Sequence, residues 1–232
     1  MPVRTVIQRG PKGKKSAAFA IDWPGWSRGA KTPEDAVHTL EMYRPRYREV
    51  AGLAGLEHEF DAAGALDIVE DDIGTGSTDF WGISFVASSF EQGPVPHDEF
   101  ERSLALLAAA WRFFDDVTAR VSPVMRKGPR GGGRERDEIV GHTFRVEGGD
   151  FARNVGVETP LDVMLTPDGL RTYRQRFLAA LREYNAEGRK AGRKSTVPFL
   201  LRHTAFHTLD HAWEMEDKDL SQEAAQQAVG QP

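Results

Sequence analysis

Cysteine is absent from this chain, and that absence excludes a good deal. No disulfide framework holds the fold together, no protein thiolate acts as nucleophile, and any metal site must be built from histidine and carboxylates. Thiol chemistry would need a thiol carried in by a cosubstrate. Long apolar runs are missing too. No stretch approaches the roughly 18 residues of a membrane span, and the N-terminus has no secretory h-region. The expectation is a cytoplasmic protein with no membrane partner. Charge of one sign is not in large excess, with a net of −5, which gives no reason to expect nucleic acid as a partner. The GxxxxGK[ST] phosphate loop does not occur, so nucleotide hydrolysis is not expected. No internal repeat is found.

What is present suits a globular protein: 40% hydrophobic and 28% charged residues over 232 positions. That length allows one large domain or two small ones. "VRTVIQRG" and "SAAFAIDWPGWSRG" read as a strand pair joined by the turn "PKGKK". "KTPEDAVHTLEMYRPRYREVAG" starts a helix, with Thr32 as N-cap, Pro33 at the first helical position and Asp35 placed to close a capping box. "ALDIVEDDI" is a third strand. Residues 74–96 form a connecting region expected to pack Phe80, Trp81 and Phe85. Trp23 and Trp26, around "PG", read as turn packing.

After Pro96 the spacing becomes helical. Phe100, Leu104, Leu107, Trp111 and Phe114 mark a first long helix that ends before Pro123. "ERDEIVGHTFRVEGGDFARNVG" is a second, with Ile139, His142 and Val146 on one side. Leu170, Tyr173, Phe177, Leu181 and Tyr184 stripe a third. A basic connector, "GRKAGRKS", leads to a fourth from Val197 to Asp217. Four such helices predict an antiparallel bundle. The organisation expected is α+β: a small α/β module with its connecting region over 1–95, a helical bundle over 96–218, and a flexible tail over 219–232.

The fourth helix contains "RHTAFHTLDHAWEMED", with three of the chain's seven histidines four residues apart. Relative to His203, His207 and His211 lie at about 40° and 80° around the helix, and Glu214 at about 20°. Such a ladder is either a polar surface or a set of metal ligands. Phe199, Phe206 and Trp213 flank it, which argues that it points inward, where unpaired polar groups are costly. His142 sits on the face of the second helix that should be buried. One histidine from that helix plus two from the fourth makes a three-nitrogen site with positions left open, as in catalytic centres. Glu214 is the candidate catalytic residue, either a general base or the group that orients a ligand histidine. Its competing role is a solvated ion pair with Lys218 at i, i+4. In "RKGPRGGGRERD", Arg130 and Arg134 are candidates for holding an anion.

"DEIVGH" and "HTLDHAWE" resemble the DinB/YfiT superfamily of four-helix-bundle proteins over residues 96–217. The resemblance implies a divalent-metal site made of His142, His207 and His211, with zinc the first expectation and nickel or iron as alternatives. His203 and Asp210 then belong to the surroundings of the ligands or the pocket wall. The run that usually follows the last histidine is replaced by "AWEMEDK". "FAIDWPGWSRGAKTPEDAVHTL", with Thr32, Glu34 and Ala36, is similar to HicB-like modules. HicB-like modules include antitoxins, but nothing in these residues requires that role, and the expectation is a scaffold that covers the bundle or mediates a homodimer. The superfamily includes transferases that use a low-molecular-weight thiol, which fits a chain without cysteine. The Arg-, Ala- and Gly-rich composition points to a high-GC bacterium, and in an actinobacterium mycothiol would be the natural cosubstrate. Three readings result: a thiol-dependent metalloenzyme acting on a small molecule, a metal-dependent hydrolase using water, and a non-catalytic binding or regulatory protein.

Overall fold

Glycine and proline set the first boundaries. In the computed structural model, which describes residues 1–129, 131–189, 191 and 195–221, strand β1 (Val3–Arg9) turns through Gly10–Lys15 into β2 (Ser16–Ala20). The pair is antiparallel, with Thr5 opposite Ala20 and Arg9 opposite Ser16. The chain turns, as expected, at Trp23-Pro24-Gly25, where Gly25 has φ of 94°, and resumes as a further strand, β3 (Ser27–Ala30). Only glycine takes that backbone without strain.

The expected long helix from Pro33 is also two. Helix α1 (Pro33–Met42) has the anticipated cap, with the Asp35 N–H donating to Thr32 Oγ1 at 3.1 Å. Pro45 lacks the N–H needed to continue it, and α2 (Arg44–Leu53) begins afresh. After the short α3 (Glu57–Asp61), β4 (Leu66–Ile73) joins β1 in parallel, giving a sheet ordered β3-β2-β1-β4. Phe80 and Trp81, expected inside, are 67% and 61% exposed. They end α4 (Gly76–Trp81), whose buried residues are Thr78 and Asp79. Asp79 takes the inward place because its carboxylate accepts the Lys12 and Lys14 backbone N–H groups, each at 2.9 Å.

No strand follows Pro96 among the described residues. Helix α5 (His97–Arg120) buries all five residues of its expected stripe. Helix α6 (Arg136–Val146) is shorter than expected and continues through a π turn (Glu147–Phe151) and a 3₁₀ turn (Ala152–Val155). A one-turn α7 (Leu161–Met164) precedes α8 (Pro167–Ala186) and α9 (Val197–Asp217). The described chain is thus mixed α+β, with a four-stranded mixed sheet and nine helices.

The long helices do not all alternate. Asp115 pairs with Arg174, and Glu101 with Arg182. Trp111 donates to Glu147, and Phe114 packs on Phe144. Hence α8 and α6 both run against α5. Phe113 meets Trp213, however, and Arg120 pairs with Glu216, so α5 and α9 run parallel. The expected fully antiparallel order fails because the segment around α7 returns the chain before α8 starts.

The strand-bearing and helical parts share one apolar core. Trp26 stacks on Tyr47 with ring centroids 5.6 Å apart, and Trp23 meets Phe60 edge-on at 4.8 Å, so both tryptophans pack the turn as expected. A Cβ on Gly25 would lie 2.8 Å from Leu209 Cδ1; this turn sits directly on α9. Beside it, a buried ion pair joins Arg202 to Glu91 at 2.6 Å, with Arg202 also 3.1 Å from Ser84 Oγ and 3.7 Å from the Phe19 ring centre. Asp219 Oδ1 accepts the Ser122 N–H at 2.8 Å. Residues 222–232 lie outside the described residues.

Candidate metal centre

Helices α6 and α9 cross where their polar faces coincide. His142, His207 and His211 each place a ring nitrogen there, all within 4.8 Å of one another. Ring centroids are 5.4 Å apart for His142–His207, 4.9 Å for His142–His211 and 4.6 Å for His207–His211. The three rings are half-buried. Burial, with Arg134 as the next cause, lowers the His142 pKa to about 4. Burial and the two neighbouring imidazoles lower that of His207 to about 2. Both are therefore neutral at pH 7, the form in which imidazole binds a metal.

Glu214 lies beside this group. Its Oε2 is 2.8 Å from His211 Nδ1, and Lys218 Nζ donates to its Oε1 at 2.5 Å. Glu214 thus contacts both His211 and Lys218. Those two hydrogen bonds, His211's first, hold the carboxyl pKa down to about 2. With Nδ1 engaged by Glu214, Nε2 of His211 is the nitrogen left for an ion. The Nδ1 atom of His207 is buried with no hydrogen-bond partner.

The fourth histidine of interest, His203, does not join the cluster. Its ring stacks on Phe199 at 5.2 Å and is surrounded by Phe85, Phe151 and Phe206. Phe151, delivered by the π turn, also meets His207 at 5.3 Å. His203 is thus packed among phenylalanines, with Phe151 between it and His207. Asp210 points elsewhere: its Oδ1 accepts from Arg28 Nη1 at 2.6 Å. Arg134 is exposed, pairs with no carboxylate among the described residues, and lies close enough to influence His142 and His207. Arg130 lies outside the described residues. Sequence reasoning did not single out Arg28, Tyr43, Phe151 or Glu147. Glu147, fully buried, accepts from Trp111 Nε1 at 2.9 Å and Thr208 Oγ1 at 3.1 Å; its signal was an acid on the apolar side of a helix.

Burial lowers the His203 pKa to about 3, Arg202 adding to the effect. An unfolded histidine titrates near 6.5. Below that value the unfolded chain takes up protons that the folded one refuses, so acid destabilises the fold from about pH 6.5 down towards pH 3. His207 contributes with the same sign. Replacing His203 with Phe should flatten the fall of the denaturation midpoint between pH 7 and 4. Identical slopes in wild type and variant would contradict this assignment.

The chain matches no known family model, no characterised protein and no solved structure. Among the described residues, no helix is long and apolar enough to cross a membrane.

Proposed function

We propose that this protein is a divalent-metal-dependent enzyme of DinB/YfiT type that activates a low-molecular-weight thiol, with mycothiol the leading candidate. In this reading α5, α6, α8 and α9 are the superfamily's four-helix bundle, and the first 95 residues are the HicB-like module. The observation that carries it is the convergence of His142, His207 and His211 from two helices. These three residues would hold the ion, each offering one ring nitrogen within 4.8 Å of the others. Two further features favour an ion: both perturbed imidazoles are neutral, and His207 Nδ1 has no protein partner. Zinc suits three imidazole ligands best, with nickel and iron as alternatives.

A bound divalent ion supplies the positive charge that makes a thiol ionise near neutral pH. The protein's own groups do the rest. The three imidazoles leave coordination positions open. Glu214 accepts the His211 Nδ1–H and fixes that ring, while Lys218 fixes Glu214. With both carboxylate oxygens engaged and its pKa near 2, Glu214 is better suited to orienting His211 than to taking protons. Arg134, at the rim, is free to hold an anionic group on the electrophile. The test is elemental analysis of the purified protein together with a screen of electrophiles, with and without added thiols. No bound metal, or turnover independent of thiol, overturns the proposal.

Glu214→Gln should keep the fold but bind zinc about 10–100-fold more weakly, the usual cost of losing a ligand's outer hydrogen-bond partner. Chelator competition measures this. Unchanged affinity would remove Glu214 from the site.

A further inference from the structure

The histidine cluster depends on how α9 is turned about its axis. Eight consecutive residues of that helix, Phe199 to Phe206, are buried, so apolar packing surrounds it and no single buried stripe fixes its rotation. Turning α9 by one residue, about 100°, would carry His207 and His211 away from His142. An apolar surround tolerates small rotations and slides. A buried hydrogen bond does not.

Such a bond is made at the π turn, a feature that often accompanies functional sites. Helix α6 runs on from His142 into Glu147–Phe151, and two residues of that turn reach α9. Thr208, which adjoins His207, donates its hydroxyl to Glu147 Oε2 at 3.1 Å. Phe151 packs edge-on against the His207 ring at 5.3 Å. The turn is anchored on its other sides as well. Trp111 Nε1 of α5 donates to the same Glu147 oxygen at 2.9 Å. At Gly148 a Cβ would lie 2.5 Å from Met164 Sδ and 3.0 Å from the Thr159 carbonyl oxygen. Glu147 is therefore held in place from outside α9.

An acid is a costly way to fill this position. Glu147 is 2% exposed and Thr208 1%, and apolar residues of similar volume commonly give equal or greater stability. What a buried polar contact adds is register, because few alignments of the two elements satisfy it. Thr204, one turn earlier on α9, shows the default: its hydroxyl donates back to Leu200 O at 2.7 Å, as helical threonines often do. Thr208 directs its one hydroxyl hydrogen to Glu147 instead. We propose that Glu147 is a positioning residue for the metal centre, which through Thr208 sets the rotation and register of α9 so that His207 and His211 face His142. This extension rests on the metal-centre reading above.

The test compares the full-length wild type with Thr208→Val, which removes the hydroxyl while keeping the branched shape, and Thr208→Ser, which restores it. One readout is the set of nuclear Overhauser contacts from the His142 ring to the His207 and His211 rings in metal-free protein. The other is cobalt(II) titration followed by visible absorption, whose band reports coordination geometry. Thr208→Val should weaken the ring contacts, alter the band and lower cobalt affinity about tenfold, the scale of losing a group that holds a ligand residue in place. Thr208→Ser should return all three towards wild type. A hydroxyl with a merely structural role would move the urea midpoint and leave the band unchanged. Wild-type band and affinity in a folded Thr208→Val protein overturn the proposal. So does a Thr208→Ser protein that behaves as Thr208→Val, or a wild type without the His142 ring contacts. If Thr208→Val does not fold, Glu147→Leu is read against Glu147→Gln, which keeps the accepting oxygen; equal behaviour of the two overturns the proposal. Ring contacts present in wild type and lost in Thr208→Val, with no cobalt uptake by either, would sink the metalloenzyme reading and leave the placement of the histidines by Glu147 standing.

Discussion

Alanine in place of His142, His207 or His211 is expected to lower zinc affinity by on the order of a hundredfold or more, since losing a ligand exceeds the roughly 10–100-fold cost of losing an outer partner. Two nitrogens and water then hold the ion in place of three nitrogens. The rings are half-buried at the α6–α9 crossing, so each variant should fold, and elemental analysis after desalting reads the loss directly. Each variant should lose metal alone, because the site draws on both helices. His203→Phe should be milder, because that ring is enclosed by phenylalanines and sits apart from the cluster. Stoichiometric zinc in all three alanine variants would place any ion elsewhere.

The second large effect concerns folding. Glu91→Leu should cost about 3–5 kcal/mol, because it leaves the Arg202 guanidinium buried without its counter-charge. Side-chain exposure is 4% for Arg202 and 5% for Glu91, so water does not replace the lost partner. The double variant Glu91→Leu/Arg202→Leu should recover most of that loss, since two apolar residues remove the charge as well as the pair. Urea denaturation of the two variants against wild type decides this. A single variant within about 1 kcal/mol of wild type would mean the pair is hydrated in solution.

Elements with an unambiguous period were legible in the sequence. The stripe of Phe100, Leu104, Leu107, Trp111 and Phe114 is buried throughout α5, and α9 spans the anticipated Val197–Asp217. The Thr32 cap was readable because its chemistry is local. Less legible was an event decided by a single residue against a continuing pattern: the restart of the helix at Pro45. Helix direction was not legible at all, since apolar spacing is the same whichever way a neighbour runs. For the candidate site, four-residue spacing along one helix placed His203, His207 and His211 on one face. Spacing could not say which two meet His142; that depends on the α6–α9 crossing and on Phe151 at the π turn. Arg28 was invisible for the same reason. In sequence it is one basic residue in a short strand, and its partner Asp210 lies 182 positions away.

The tight seating of the Trp23–Trp26 turn on α9 bears on how this chain could have been assembled. A module that is merely tethered can be exchanged as a cassette, its neighbour indifferent to the replacement. Here Gly25 has no room for a side chain against Leu209 and Ala205, and Arg28 shares its charge with Asp210 across the same seam. Inherited drift on one side must therefore be answered on the other. Grafting this helical part onto a foreign N-terminal segment would demand matched substitutions along α9 before the hybrid could close.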